Sequence, residues 1–192
     1  MKKIVIGTSN PHKLTEMNSI NTFSDICFET VKGEFDPDEN GKTFLENAII
    51  KAKAGAVLTG EYCLADDSGL CVDFLGGQPG LMSARYETTR EKRIQKLLNE
   101  MSSAPKDKRN AHFICTMALC SPKGEVLHTT QGRVDGVIIE ELKGLNGFGY
   151  DPVFFIPEYN QTMAEMSEED KNKISHRANA LKPMLEWIEA NL

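Results

Sequence analysis

The sequence has no long apolar run, no basic block and no paired cysteine motif, and each absence removes a class of function. After Met1-Lys2-Lys3 the first apolar stretch is only Ile4-Val5-Ile6, which ends at Gly7. That is too brief for the core of a signal peptide or for a membrane span. The five cysteines, Cys27, Cys63, Cys71, Cys115 and Cys120, are odd in number and form no Cys-x-x-Cys pair. Several lie in apolar, strand-like runs, so they read as reduced core residues of a cytoplasmic protein. Lysine and arginine form no long run and the net charge is −6, which argues against a nucleic-acid backbone as partner. A small anion needs only a local cluster of cations and stays open. There is no internal repeat, no low-complexity segment, no Walker A loop and no His/Cys cluster of the zinc type.

What is present suits one domain, residues 1–192, with 40% hydrophobic and 26% charged residues, and it is long enough to bury a real core. The stretch Leu64-Ala65-Asp66-Asp67-Ser68-Gly69-Leu70 stands out. It places two carboxylates at the end of the apolar strand Tyr62–Ala65, before Leu70-Cys71-Val72 resumes the apolar character. Such charges cost several kcal/mol unless a cation or a hydrogen-bond network compensates. An ordinary Asp-Asp-Ser-Gly turn is the alternative.

Upstream, Ile4-Val5-Ile6 predicts a short buried strand that runs into Gly7-Thr8-Ser9-Asn10-Pro11-His12-Lys13 and a helix marked by Leu14, Met17 and Ile20. Asn10 suits the N-cap and Pro11 the first helical position. Strand, small-residue turn and helix N-terminus together form an anion site. Lys13 falls in the first turn, where a cation is disfavoured; a bound anion would remove that conflict, and Lys13→Ala would leave the melting temperature unchanged or higher. An acidic loop, Glu34 to Gly41, precedes a helix with Thr43 and Glu46 as capping box and Leu45, Ala48, Ile49, Ala52 and Ala56 on one face. Lys51 lies off that face and reads as solvent-exposed unless a site claims it. Gly76-Gly77-Gln78-Pro79-Gly80 predicts a tight turn, and Thr88 with Glu91 a second capping box.

His112–Cys120 and Glu125–Val134 predict two strands joined by Ser121-Pro122-Lys123-Gly124, with Val137-Ile138-Ile139 as a further strand. The loop Gly144–Pro152 sets Phe148 and Tyr150 among glycines, where the rings would stack on a base or else fold back on the core. Near the C-terminus Lys171, Lys173, His176 and Arg177 cluster, and Leu181, Met184, Leu185 and Ile188 form a buried helix face. Pro183 inside that pattern predicts a kink or a later helix start.

Seven motifs stand in order. They are Thr8-Ser9-Asn10-x-x-Lys13; Glu39-x-Gly41-x-Thr43-Phe44-x-Glu46-Asn47-Ala48-x-x-Lys51-Ala52; Ala65-Asp66-Asp67-Ser68-Gly69-Leu70; Gly76-Gly77-x-Pro79-Gly80; Ser83-Ala84-Arg85-Tyr86; Gly147-Phe148-Gly149-Tyr150-Asp151-Pro152; and Ser175-His176-Arg177. Over nearly its whole length the chain resembles the inosine/xanthosine triphosphate pyrophosphatase family, which hydrolyses deaminated purine nucleotides. It departs from the family at Ser9, where glycine is common, and at Pro183. The resemblance implies an elongated α/β fold with a mixed sheet flanked by helices and two lobes with the active-site cleft between them. It further implies a homodimer, Mg²⁺ and release of pyrophosphate from ITP, dITP or XTP.

By motif match Asp67 is base and metal ligand, Glu39 is the second ligand, and Lys51 joins Asp67 as a catalytic candidate. Thr8, Ser9, Asn10, Pro11, His12 and Lys13 would line the phosphates. Ser68, Phe148, Gly149, Tyr150, Asp151, Lys171, His176 and Arg177 would complete the substrate site. The donors of His176 and Arg177 would meet the oxygen at purine C6 and oppose adenine's amino group. The rival reading is a nucleotide sensor that uses the same pocket without turnover; intact carboxylates and lysines favour the enzyme.

Overall fold

The computed structural model describes residues 1–192. Seven strands form one sheet: β1 (Lys2–Ile6), β2 (Ile26–Thr30), β3 (Tyr62–Val72), β4 (Asn110–Cys120), β5 (Val126–Ile138), β6 (Phe154–Ile156) and β7 (Gln161–Thr162). Their order is β2-β1-β3-β4-β5-β6-β7. β1 pairs in parallel with β2 and β3, whereas β6 is antiparallel to β5 and β7, so the sheet is mixed. Five helices accompany it: α1 (Pro11–Ile20), α2 (Phe44–Thr59), α3 (Arg90–Glu100), α4 (Glu168–Ile174) and α5 (His176–Asn191). This is the expected α/β class.

The chain divides into two compact units, one of residues 1–67, 115–132 and 175–192, the other of 68–114 and 133–174. In the first, strand alternation sends side chains to two cores. Ile4, Ile6 and Leu64 pack with Met17 and Ile20 of α1 and with Leu181, Met184, Leu185 and Ile188 of α5. Val5, Cys63 and Ala65 pack with Ala48, Ala52 and Ala56 of α2. A sheet covered on both faces explains why these strands are apolar at nearly every position. The second unit has its own core, in which Leu70 and Val72 meet Leu97, Met101, Phe113 and Phe154. Cys63, Cys115 and Cys120 are buried free thiols, Cys27 and Cys71 half-buried ones.

Four local expectations are corrected. β3 runs unbroken through Asp66-Asp67-Ser68-Gly69, so the acidic pair is neither a turn nor a strand end. β5 extends to Ile138 and absorbs the strand expected separately at residues 137–139. Thr89, not Thr88, caps α3, its side chain accepting from the Lys92 N–H. α5 starts at His176 and continues past Pro183; the proline is exposed while Leu181, Met184 and Leu185 on either side are buried, so packing holds the helix across the one hydrogen bond the ring cannot donate.

Candidate active site

Asp66 and Asp67 are consecutive on β3 and therefore project to opposite faces of the sheet. Asp66 is 1% exposed. Lys13 Nζ lies 2.9 Å from its Oδ1 and Arg177 Nη2 lies 3.3 Å from its Oδ2. Arg177 also pairs through Nη1 with Glu16, and the Cys115 thiol stands 3.8 Å from Asp66 Oδ2. Burial alone would raise the Asp66 pKa, but Lys13, Arg177 and Lys51 together hold it well below the usual carboxylate range. Burial likewise works against the charge on Arg177, and Asp66 and Glu16 more than restore it.

Asp67 enters a different cluster. Its Oδ1 is 3.3 Å from Lys51 Nζ, and that same ammonium is 2.9 Å from Glu39 Oε2. Its Oδ2 accepts a hydrogen bond from Asn47 Nδ2 at 3.1 Å. Burial pushes the Asp67 pKa up, the Lys51 and Asn47 interactions oppose it, and Glu39 adds to the rise. The group is thus a stronger base than an exposed aspartate, while burial lowers and the carboxylates Asp66, Asp67 and Glu39 raise the Lys51 pKa, with a net increase.

α2 makes this arrangement possible. The Thr43 side chain accepts the Glu46 N–H at 3.1 Å, which starts the helix, an interaction worth about 1 kcal/mol. The Glu46 carboxylate takes the N–H of Lys42, so the expected box closes one residue earlier than its usual form. Asn47 and Lys51 are four residues apart and share a face. Lys51 is 7% exposed: the site claims it, against its reading as a solvent-facing lysine.

Glu39 and Asp67 aim oxygens at one point where a cation sits, here the Lys51 ammonium. Hard carboxylate oxygens converging on one locus fit the sparse protein coordination of Mg²⁺, which takes one or two carboxylates and completes its shell with water and phosphate.

The loop before α1 is shaped by its own side chains. Thr8 Oγ1 accepts the Asn10 N–H at 3.1 Å, and Asn10 Oδ1 accepts the His12 N–H at 3.0 Å, the expected N-cap. Ser9, Pro11 and His12 are exposed. A cavity of about 370 Å³ opens beside Thr8, Ser9, Asn10 and Pro11, bounded opposite by Val31, Phe35 and Asp36. The anion that resolves the misplaced charge of Lys13 turns out to be the protein's own Asp66.

In the second unit Asp151 is 2% exposed. It accepts the Phe148 N–H at 2.9 Å and pairs with Lys171 Nζ at 2.8 Å. Gly147 has φ 71°, and a Cβ there would collide with the Asp151 carboxylate, so glycine is required for this closure. Lys171 Nζ stands 4.6 Å from the centroid of the half-buried Phe148 ring. Tyr150 is buried and its hydroxyl donates to the Ser83 carbonyl at 2.9 Å. The stacking expected of Tyr150 is therefore corrected: its ring folds back on the core. Gly149 lends its carbonyl to Arg90 Nε at 3.1 Å, and Ser68 is half-buried on β3.

His176 and Arg177 open α5 at 4% and 1% exposure. The expectation that Arg177 faces the base is also corrected, since its donors are directed at Glu16 and Asp66. Two further residues belong to these clusters and were not singled out from the sequence. Glu16 follows Lys13 by three residues, a spacing that puts both on one face of α1. Asn47 precedes Lys51 by four, off the apolar face, and that polar pair was the available signal.

Known proteins are similar to this chain over nearly its whole length. A dITP/XTP pyrophosphatase of Bacillus licheniformis is 44% identical over 195 residues, covering 96% of this chain and 96% of its own. One of Desulforamulus reducens is 45% identical over 194 residues, covering 97% and 95%. The structure of the Staphylococcus aureus Ham1 protein superimposes with a TM-score of 0.88 at 38% identity, covering both chains fully. The Ham1 family model matches residues 4–187. That match spans all seven motifs, and the chain belongs to the Ham1 family.

Proposed function

We propose that this protein hydrolyses deaminated purine nucleoside triphosphates, ITP, dITP and XTP, to the monophosphate and pyrophosphate. The observation that carries the reading is the convergence of Glu39 and Asp67 on one cation position, that of the Lys51 ammonium. The substrate follows the names of the relatives at 44–45% identity.

Thr8, Ser9, Asn10, Pro11, His12 and Lys13 are the proposed phosphate-binding stretch, where the N-terminus of α1 offers a positive dipole. Bound by Glu39 and Asp67, Mg²⁺ would polarise the attacking water and the phosphate oxygens. Asp67 accepts the proton of that water as its oxygen bonds to the α-phosphorus, and the bond to the bridging oxygen breaks to release pyrophosphate. Lys51 supplies positive charge against the developing charge on phosphate. Ser68, Phe148, Gly149, Tyr150, Asp151, Lys171, His176 and Arg177 complete the proposed substrate residues. Of these, Phe148 offers a ring face for stacking, while Tyr150 and Asp151 hold the loop in shape. A homodimer in the cytoplasm completes the reading. No helix is long and apolar enough to cross a membrane.

The test is incubation of purified protein with ITP and Mg²⁺, with ATP in parallel. Pyrophosphate and IMP in equal amounts, formed much faster than from ATP, are expected. Tight ITP binding without pyrophosphate would select the sensor instead.

A further inference from the structure

We propose that Asn47 is a positioning residue that sets the aim of the Glu39–Asp67 pair, an inference that rests on the metal-dependent reading above. Asn47 is 1% exposed and spends both ends of its amide. Its Nδ2 donates to Asp67 Oδ2 at 3.1 Å, and its Oδ1 accepts the Gly41 N–H at 2.8 Å. One side chain therefore ties β3 to the acidic loop two residues beyond Glu39. Lys51, one turn further along α2, touches the other oxygen of Asp67 and also Glu39.

The four groups form a closed ring: Asn47 to Asp67, Asp67 to Lys51, Lys51 to Glu39, and Glu39 through Gly41 back to Asn47. Three of its links are side-chain contacts and the fourth is loop backbone. The lysine link is electrostatic and tolerates a change of distance. The amide link is directional, and it fixes the rotation of the Asp67 carboxylate so that Oδ1 is turned toward Lys51, the ammonium it shares with Glu39.

Gly41 supports this independently. A Cβ at that position would lie 2.6 Å from Asn47 Oδ1 and 2.9 Å from Asn47 N. The loop backbone is thus pressed against Asn47 more closely than any side chain allows. A loop that only needed covering would not require glycine at the point of contact.

Partners that orient metal-binding carboxylates typically cost about 10–100-fold in metal affinity or activity when removed. Two variants separate orientation from simple stability. Asn47→Ala removes both bonds; Gly41→Ala displaces the loop side and leaves the donor to Asp67 in place. Each is titrated with Mg²⁺ alone by calorimetry, melted without metal, and assayed for kcat and KM with ITP.

The expected result for Asn47→Ala is a Mg²⁺ half-saturation raised about 10-fold or more, with a fall in kcat that exceeds any change in KM. Gly41→Ala should move both in the same direction by a smaller factor, and it decides the matter if Asn47→Ala does not fold. A lower melting temperature with the Mg²⁺ midpoint and kcat within twofold of wild type would overturn the proposal and leave Asn47 a loop anchor. If wild-type protein releases no pyrophosphate, the functional reading fails, and the Mg²⁺ titrations still judge Asn47.

Discussion

On one side of β3, Asp66 and Glu16 meet Lys13 and Arg177, two carboxylates against two cations. On the other, Asp67 and Glu39 share the single ammonium of Lys51. The first cluster is balanced and almost wholly buried; the second carries a surplus negative charge and reaches the surface through Glu39. The pKa directions follow, with Asp66 held down by its cations and Asp67 pushed up by burial and by Glu39. A balanced buried network carries no net charge, so Asp66 serves to hold Lys13 and Arg177 in place. A surplus carboxylate beside a half-open loop invites a cation. Adjacent residues can therefore divide scaffold from chemistry.

The largest expected break of this contrast is Asp67→Asn. It keeps the shape and the fold but removes the proton acceptor, and general base catalysis alone is worth ~10²–10⁴ in rate. Steady-state turnover of ITP checks it: kcat within a few-fold of wild type would remove Asp67 from the chemistry.

Asp66→Asn should act on stability instead. It leaves two buried cations facing Glu16 alone, and breaking a buried pair typically costs about 3–5 kcal/mol. The pH dependence sharpens the point. The folded-state pKa of Asp66 lies below its ordinary value of 3.8, so its contribution is fully present above that value and is lost as pH falls toward the folded pKa. Denaturant melts at pH 7 and at successively lower pH should show the wild-type advantage over Asp66→Asn shrinking on acidification. An advantage that grows instead would reverse the assignment.

The smallest effect is expected for Lys13→Ala. Read from helix electrostatics alone, losing a cation from the first turn of α1 should leave the melting temperature unchanged or higher. In the structure Lys13 holds Asp66 at 2.9 Å with its side chain 16% exposed. A hydrogen bond to a charged group contributes about 1.5–3 kcal/mol, so the melting temperature should fall by on the order of 5 °C. Calorimetric scans without nucleotide distinguish the two outcomes by sign.

Local features were legible where their cause is local. The Asn10 cap and Pro11 start of α1, the hairpin at Ser121–Gly124, the apolar face of α5 and that of α2, except for Leu45, which is exposed, each depend on residues within a few positions. The acidic pair was misread as a strand end because what lets β3 continue comes from far away. Lys13 is 53 residues from Asp66 in the chain, and Arg177 is 111. Tyr150 was misassigned for a similar reason: its hydroxyl partner, Ser83, is 67 residues distant.

By itself the sequence determined the α/β class, the starts of α1 and α2, the reduced cysteines and, through seven motifs in register, the family. It also named Glu39, Lys51 and Asp67 as one chemical group. Only the tertiary structure decided that Arg177 faces two carboxylates, that Lys51 is buried between two others, and that Asn47 joins the acidic loop to β3. The physical reason is that caps and apolar periodicity act over a turn or two of chain. The state of a buried charge depends on which opposite charge the fold carries to within 3–4 Å, and that distance does not exist until the sheet has formed.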